Sequence, residues 1–274
     1  MKVHCIYDVE GWAYYNRFQA FKKYAPNDVE VTGSTGLPEH FCDIIFCSRY
    51  GQAPALYKNK PKKSHFIVHI NCAYPTINIE YAHAAVKTCD SLVVSSYGMQ
   101  EYLQQGIVIE DGVDLDLFYD EGKARNDIAL WCSSEFHKLH KGYDLAKRIP
   151  CVEAFVTDSH APDRTRVQMR EWYNRAKVFL VLSRSEGTPN PLLESAACGC
   201  VPVSTIVGVA PRLIEHGYNG FLLSNLDRDY ISMMIEYAIN NYDTYKRNIL
   251  EDIRKWSWKI QAAKYFALFR RAIA

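Results

Sequence analysis

Apolar and polar positions alternate along this chain in short blocks. Val3 to Tyr7, Val29 to Thr32, Ile44 to Cys47, Phe66 to Ile70, Leu92 to Ser95 and Ile107 to Ile109 are apolar, β-rich runs that read as strands. Between several of them, Trp12 to Tyr24, Ile79 to Thr88 and Met99 to Gln104 carry the wider spacing of amphipathic helices. Strands alternating with helices imply parallel strands joined by crossover helices, an α/β doubly wound sheet. A polar stretch, Asp120 to Asp127, then reads as a linker.

After it the pattern begins again. Ile128 to Cys132, Val152 to Thr157, Val178 to Ser183, Val201 to Ser204 and Phe221 to Leu223 read as strands. Tyr143 to Arg148, Val167 to Arg175, Pro191 to Cys198, Pro211 to His216 and Arg228 to Asn240 read as helices. The tail from Tyr245 to Ala274 reads as helices broken around Trp256 to Trp258. Two Rossmann-like domains in tandem are expected, residues 1–118 and 119–258, with a C-terminal helix over 259–274 packing back on the first.

Composition narrows the function more than the fold. With 48% hydrophobic and 23% charged residues in 274, the chain is an ordinary globular protein that can bury a core without staples. The formal net charge is only +1, which gives no support to a duplex nucleic-acid binder. The total hides an asymmetry, because residues 1–120 carry 10 basic and 14 acidic side chains and the remainder 22 and 17. The second half is the better home for an anionic ligand. Nine cysteines without a CxxC pair read as reduced core thiols, which predicts a cytoplasmic protein. The first apolar run is too short for a signal peptide, and no run reaches membrane-spanning length, so no membrane insertion is expected.

Residues 178–223 carry the chemistry. An apolar strand runs into Ser183, Arg184 and Ser185, Glu186 and Gly187 turn the chain, and a helix is expected from Pro191 with Asn190 as its N-cap. This puts a small-residue loop and a helix start at the carboxyl edge of a parallel sheet, where open α/β folds bind ligands. Free amides and the positive end of the helix dipole suit phosphate. Two carboxylates frame the loop, Glu186 and Glu194, separated by seven residues. Carboxylates accept from sugar hydroxyls, so acids at the ends and amides in the middle suit a sugar-diphosphate ligand.

The run EGTPNPLLE, followed by SAACGCVPVSTIVG and IEHGYNGFLL, resembles the donor-site signature of the family 4 (group 1) retaining glycosyltransferases of GT-B fold. The preceding MREWYNRAKVFLVLS extends the resemblance. VIEDGVDLDLF resembles the hinge motif, with Asp111 where asparagine is usual, and HKLHKGYDL resembles the phosphate-binding loop. The resemblance covers most of residues 106–224. It implies two Rossmann-like domains with a cleft between them, acceptor on the amino-terminal side and nucleotide-sugar donor on the carboxy-terminal side, and no metal or other cofactor.

Carried over, the resemblance implies that Glu194 accepts from the donor ribose and that Glu186 lies against the transferred sugar. Backbone and side chains of Ser185, Gly187, Thr188, Asn190, Pro191 and Leu192 would line the sugar and phosphates. Lys141 would neutralise the diphosphate. The family's usual arginine about six residues earlier is replaced by Ser134 and Glu135, so Lys138 is expected as the substitute cation. Gly11 closes a strand-to-helix turn where relatives approach a phosphate, and His69 resembles a histidine near the reacting sugar.

Asp114-Leu115-Asp116 is a DxD triplet that, alone, would suggest a manganese-dependent enzyme of the other glycosyltransferase fold. A non-catalytic nucleotide-sugar-binding module is a second rival. The acceptor stays open: a saccharide, a lipid-linked or small molecule, or a hydroxymethylated base of DNA. The last is suggested by four lysines among Lys58 to Lys63 and by the chain's shortness, a property of phage and viral versions of the family.

Overall fold

The computed structural model describes residues 1–71, 79–157 and 164–274. The chain divides into two units, Met1–Gly112 with Trp258–Ala274, and Val113–Ser257.

In the first unit, β1 (Lys2–Ile6), β2 (Glu30–Ser34), β3 (Ile44–Cys47), β4 (His65–Ile70), β5 (Ser91–Val94) and β6 (Ile107–Val108) form a parallel sheet in the order β2-β1-β3-β4-β5-β6. Central strands such as β3 are buried on both faces, which is why Ile44 to Cys47 is continuously apolar. Helix α1 (Ala13–Tyr24) and the C-terminal helix Trp258–Ile273 belong to one face, where Phe21, Phe46, Tyr265, Phe266 and Phe269 interlock. Helices α2 (Ala53–Asn59), α3 (Ile79–Val86) and α4 (Tyr97–Leu103) complete the unit.

One charged side chain of α1 points inward. Arg17 donates through Nε and Nη2 to the two Asp111 carboxylate oxygens at 2.7 and 2.6 Å, and through Nη1 to Ser48 Oγ at 2.8 Å. Both members of the pair are 1% exposed. Burial opposes the Arg17 charge, and the Asp111 carboxylate together with Tyr265 and Tyr14 outweighs that effect, raising the guanidinium above its ordinary value. Aspartate at 111 is therefore matched by a buried cation.

In the second unit, β7 (Asn126–Ser134), β8 (Val152–Thr157), β9 (Ala176–Val181), β10 (Val201–Thr205) and β11 (Phe221–Leu223) are parallel in the order β8-β7-β9-β10-β11. Helices α5 (Tyr143–Ala146), α6 (Arg166–Tyr173), α7 (Asn190–Ala197), α8 (Ala210–Leu213), α9 (Arg228–Asn240) and α10 (Tyr242–Asp252) accompany them. Both sheets reverse their winding between the first and third strands, at β1/β3 and at β7/β9, the switch points where doubly wound sheets open a crevice.

Three expectations change. Asp120 to Asp127 is a packed part of the second unit rather than a linker: the Arg125 side chain, 2% exposed, pairs with Asp120 and donates to the Ala176 and Cys198 carbonyls. The division falls at Gly112 because Val113 and Phe118 lie in the second unit's core, and the Val113 amide donates to the Trp256 carbonyl at 2.8 Å. The lysine run is split, since Lys58 lies in the last turn of α2 while Lys60 pairs with Asp90 at 3.3 Å, leaving Lys62 and Lys63 exposed beyond Pro61. Among the described residues no helix is long and apolar enough to cross a membrane.

Candidate functional site

At the β7/β9 switch point two loops meet, residues 135–142 after β7 and 182–189 after β9. The buried Trp131 indole N–H donates to the Lys141 carbonyl at 2.9 Å and fixes the first loop from below. Gly142 follows with φ 78°, and a Cβ there would lie 2.7 Å from Leu182 Cβ and 2.8 Å from its carbonyl oxygen. Only glycine lets the loops approach this closely. The Arg184 amide donates to the His140 carbonyl at 3.2 Å, and His140 Nε2 lies 3.1 Å from the Ser185 carbonyl oxygen.

This stitching brings two residues 45 positions apart into contact. Lys141 Nζ lies 3.3 Å from Glu186 Oε1, and the same oxygen accepts from Ser183 Oγ at 2.8 Å. The second loop is backed by Gly208, whose φ of 52° and close approach to the Gly187 carbonyl exclude any Cβ. The Val209 amide donates to that carbonyl at 3.0 Å, and Thr205 Oγ1 donates to the Ser183 carbonyl at 2.8 Å. Gly187 and Thr188 are buried in consequence.

Helix α7 starts one residue earlier than expected. Pro189 occupies the N-cap and the Leu192 amide donates to its carbonyl, so Asn190 is the first helical residue and caps nothing. Asn190 Oδ1 is buried with no hydrogen-bond partner. Pro191 sits at the second helical position, and the Leu192 side chain is fully buried in the core. The Leu192 amide, counted among ligand-facing groups from the sequence, is thus already engaged.

Glu194 stands one turn into α7. Its Oε2 accepts from the Tyr173 hydroxyl at 3.2 Å, and Oε1 lies 3.9 Å from Arg166 Nη2. Burial pushes its carboxyl up to about 7, against the opposing pull of Arg166 and Tyr173. Cys132, in β7, is pushed up to about 12 by burial, and it feels both the Lys141 and the Glu194 charge. Trp131, Cys132, Lys141, Ser183, Glu186 and Pro191 line a narrow pocket at this point.

Other expected residues stand elsewhere. Lys138 pairs with Glu135 at the surface and lies 5.7 Å from the Tyr143 ring. The segment around it is a 3-10 turn over Glu135–His137 followed by further turns. Gly11 belongs to the first unit, with φ 83° in the β1–α1 turn, and its carbonyl accepts from Asn16 Nδ2 at 3.1 Å. His69 is also in the first unit, fully enclosed, with Nε2 2.9 Å from Ser95 Oγ and its ring beside Phe46 and Tyr265. Burial, aided by Arg17, lowers it well below the ordinary histidine value, and in this conformation the ring offers a ligand no surface.

Asp114 of the DxD triplet accepts from the Asp116 amide at 3.1 Å and shapes a turn. Among the described residues no group of three or more His, Cys, Asp or Glu side chains is arranged to hold a metal ion. Sequence reading passed over Trp131, Tyr173 and Arg166. The available signal was Arg166 itself, a cation at the first position of a helix, where the dipole disfavours it.

This architecture matches solved structures over nearly its whole length. The sucrose-phosphate synthase of Thermosynechococcus elongatus superposes with TM-score 0.74 at 14% identity, covering 98% of each chain. Anabaena HepE, solved in complex with UDP-glucose, gives 0.73 at 13% identity, covering 98% of this chain and all of that one. The fold is therefore GT-B, two Rossmann-like units in one chain. Residues 157–241, within the second unit, match the family model described as Glycosyl transferases group 1. An uncharacterized glycosyltransferase of Methanocaldococcus jannaschii is 22% identical over 232 residues, 77% of this chain and 63% of the relative. The chain spans less than two thirds of the length of the curated relatives it matches.

Proposed function

We propose that the protein is a glycosyltransferase that moves a hexosyl group from a nucleotide diphosphate sugar to an acceptor hydroxyl. The observation that carries this reading is the meeting of Lys141 and Glu186 at 3.3 Å at the β7/β9 switch point, with Glu194 one turn into the helix that follows. A diphosphate needs a cation and amides, and sugar hydroxyls need carboxylates. This point of the fold supplies both kinds of group. The UDP-glucose bound to Anabaena HepE, which shares the fold, agrees with such a donor.

In this reading Lys141 turns from Glu186 to the diphosphate, and Glu186 is released toward the transferred sugar. Glu194 accepts from the ribose hydroxyls. The bond between the anomeric carbon and the diphosphate oxygen breaks as the acceptor oxygen attacks from the same face. The departing phosphate oxygen takes the acceptor proton, so configuration is retained and no metal ion is required. The eight described cysteines are all free thiols, which agrees with action in a reducing compartment. The acceptor is read as a saccharide, lipid-linked or small-molecule hydroxyl.

The test incubates the protein, with and without chelator, with UDP-, GDP- and ADP-hexoses. Acceptor panels include oligosaccharides, lipid-linked sugars and hydroxymethylated DNA. Transfer that survives chelation with retained anomeric configuration is the expected result. Nucleotide-sugar binding without hydrolysis or transfer to any acceptor would make the protein a binding module instead.

A further inference from the structure

Helix α6 begins against the usual electrostatic preference. Its first turn holds no acidic residue, and its first position is Arg166, although a helix start favours anions. The helix start is nevertheless well fixed, since Thr165 Oγ1 accepts from the Gln168 amide at 3.2 Å and Gln168 Oε1 accepts from the Thr165 amide at 2.8 Å. A residue that breaks a local rule in a well-built element has a reason elsewhere.

For Arg166 the reason is Glu194. Its Nη2 lies 3.9 Å from Glu194 Oε1, its guanidinium stands 5.2 Å from the Phe118 ring centroid, and its Nε is buried without a hydrogen-bond partner. Tyr173, on the same helix, holds the other Glu194 oxygen at 3.2 Å. Among the described residues, the titratable and charged groups facing this carboxylate are Arg166 and Tyr173 of α6, Cys132 of β7 and Cys198 just past its own helix α7. Arg166 is the one cation among them.

We infer that Arg166 is a positioning residue for Glu194, holding the carboxylate in place to accept from the hydroxyls of a bound nucleoside. The inference rests on the proposed donor site and deepens it. Without the cation, burial of Glu194 acts unopposed except by Tyr173, and the group holds its proton to higher pH. A protonated carboxyl is a poorer acceptor for ribose hydroxyls.

The experiment measures binding of UDP, GDP and ADP calorimetrically between pH 6 and 9 and carries the tightest forward with its 2′,3′-dideoxy analogue. Arg166→Met is expected to weaken the ribonucleotide by about 10-fold near pH 6.5, with the loss shrinking toward pH 9. Arg166→Lys restores most of the affinity, and the dideoxy analogue binds wild type and Arg166→Met alike. Arg166→Gln, which keeps a polar stem without charge, should repeat the Met result and guards against a folding defect in that variant. A pH-independent loss, or an equal loss with the dideoxy analogue, would overturn the role of Arg166 while leaving the donor site standing. Wild-type protein that binds no nucleoside diphosphate, or ignores the ribose hydroxyls, would overturn both.

Discussion

The two units wind their sheets in the same order, and each places a cation–carboxylate pair near its switch point, yet the pairs differ in kind. In the first unit Arg17 and Asp111 are bidentate at 2.6–2.7 Å and 1% exposed, with Ser48, just past β3, taking a third guanidinium hydrogen. In the second, Lys141 meets Glu186 through one oxygen at 3.3 Å, and the side chains are 21% and 9% exposed. A sealed bidentate pair cannot change partners without leaving a buried charge. An open, monodentate lysine can exchange a carboxylate for a phosphate at little cost, because lysine is a flexible point charge. The same topology thus builds a fastening in one unit and a candidate reaction site in the other.

Breaking the sealed pair should have the larger effect. Arg17→Met leaves Asp111 buried without its cation, and Asp111→Asn leaves the guanidinium buried without its anion. Each is expected to cost about 3–5 kcal/mol in urea unfolding. Stabilities within about 1 kcal/mol of wild type for both variants would erase the contrast. Lys141→Ala tests the other side of it. Its stability should fall by under about 1 kcal/mol, as for other partly exposed pairs, whereas turnover should drop roughly 100- to 1,000-fold if the lysine stabilises a leaving diphosphate. Intact turnover in this variant would remove the lysine from the site.

Much of this was readable from the chain because its period and punctuation agree. The central strand Ile44–Cys47 has the bounds its apolar run predicts, since a strand buried on both faces has no polar positions to blur its ends. Helix α2 was not foreseen: seven residues with a proline at the start give too few turns for a period to emerge. The false linker teaches something different. Asp120, Glu121, Lys123 and Arg125 look solvated in sequence, but Asp120, Glu121 and Arg125 find partners on α6, α7 and α10 that lie far along the chain. Glu186, Glu194 and Lys141 were legible as types at a spacing. That Lys141 reaches Glu186 and that Arg166 faces Glu194 depend on how loops pack, which no local pattern encodes.

The last of these effects reads the burial of Glu194 directly. Its carboxyl is raised from 4.5 to about 7, chiefly by burial. A carboxyl with a raised value in the folded chain binds its proton more tightly there than when unfolded. Its contribution is therefore fully present below pH 4.5 and is lost as pH rises through 7. At about 1.4 kcal/mol per unit the loss amounts to at most about 3.5 kcal/mol. Glu194→Gln has no proton to lose, so the wild type should weaken relative to this variant between pH 5 and pH 8, measured by urea unfolding at each pH. If the Glu194→Gln difference stayed flat across that window, the carboxylate would be solvated rather than buried.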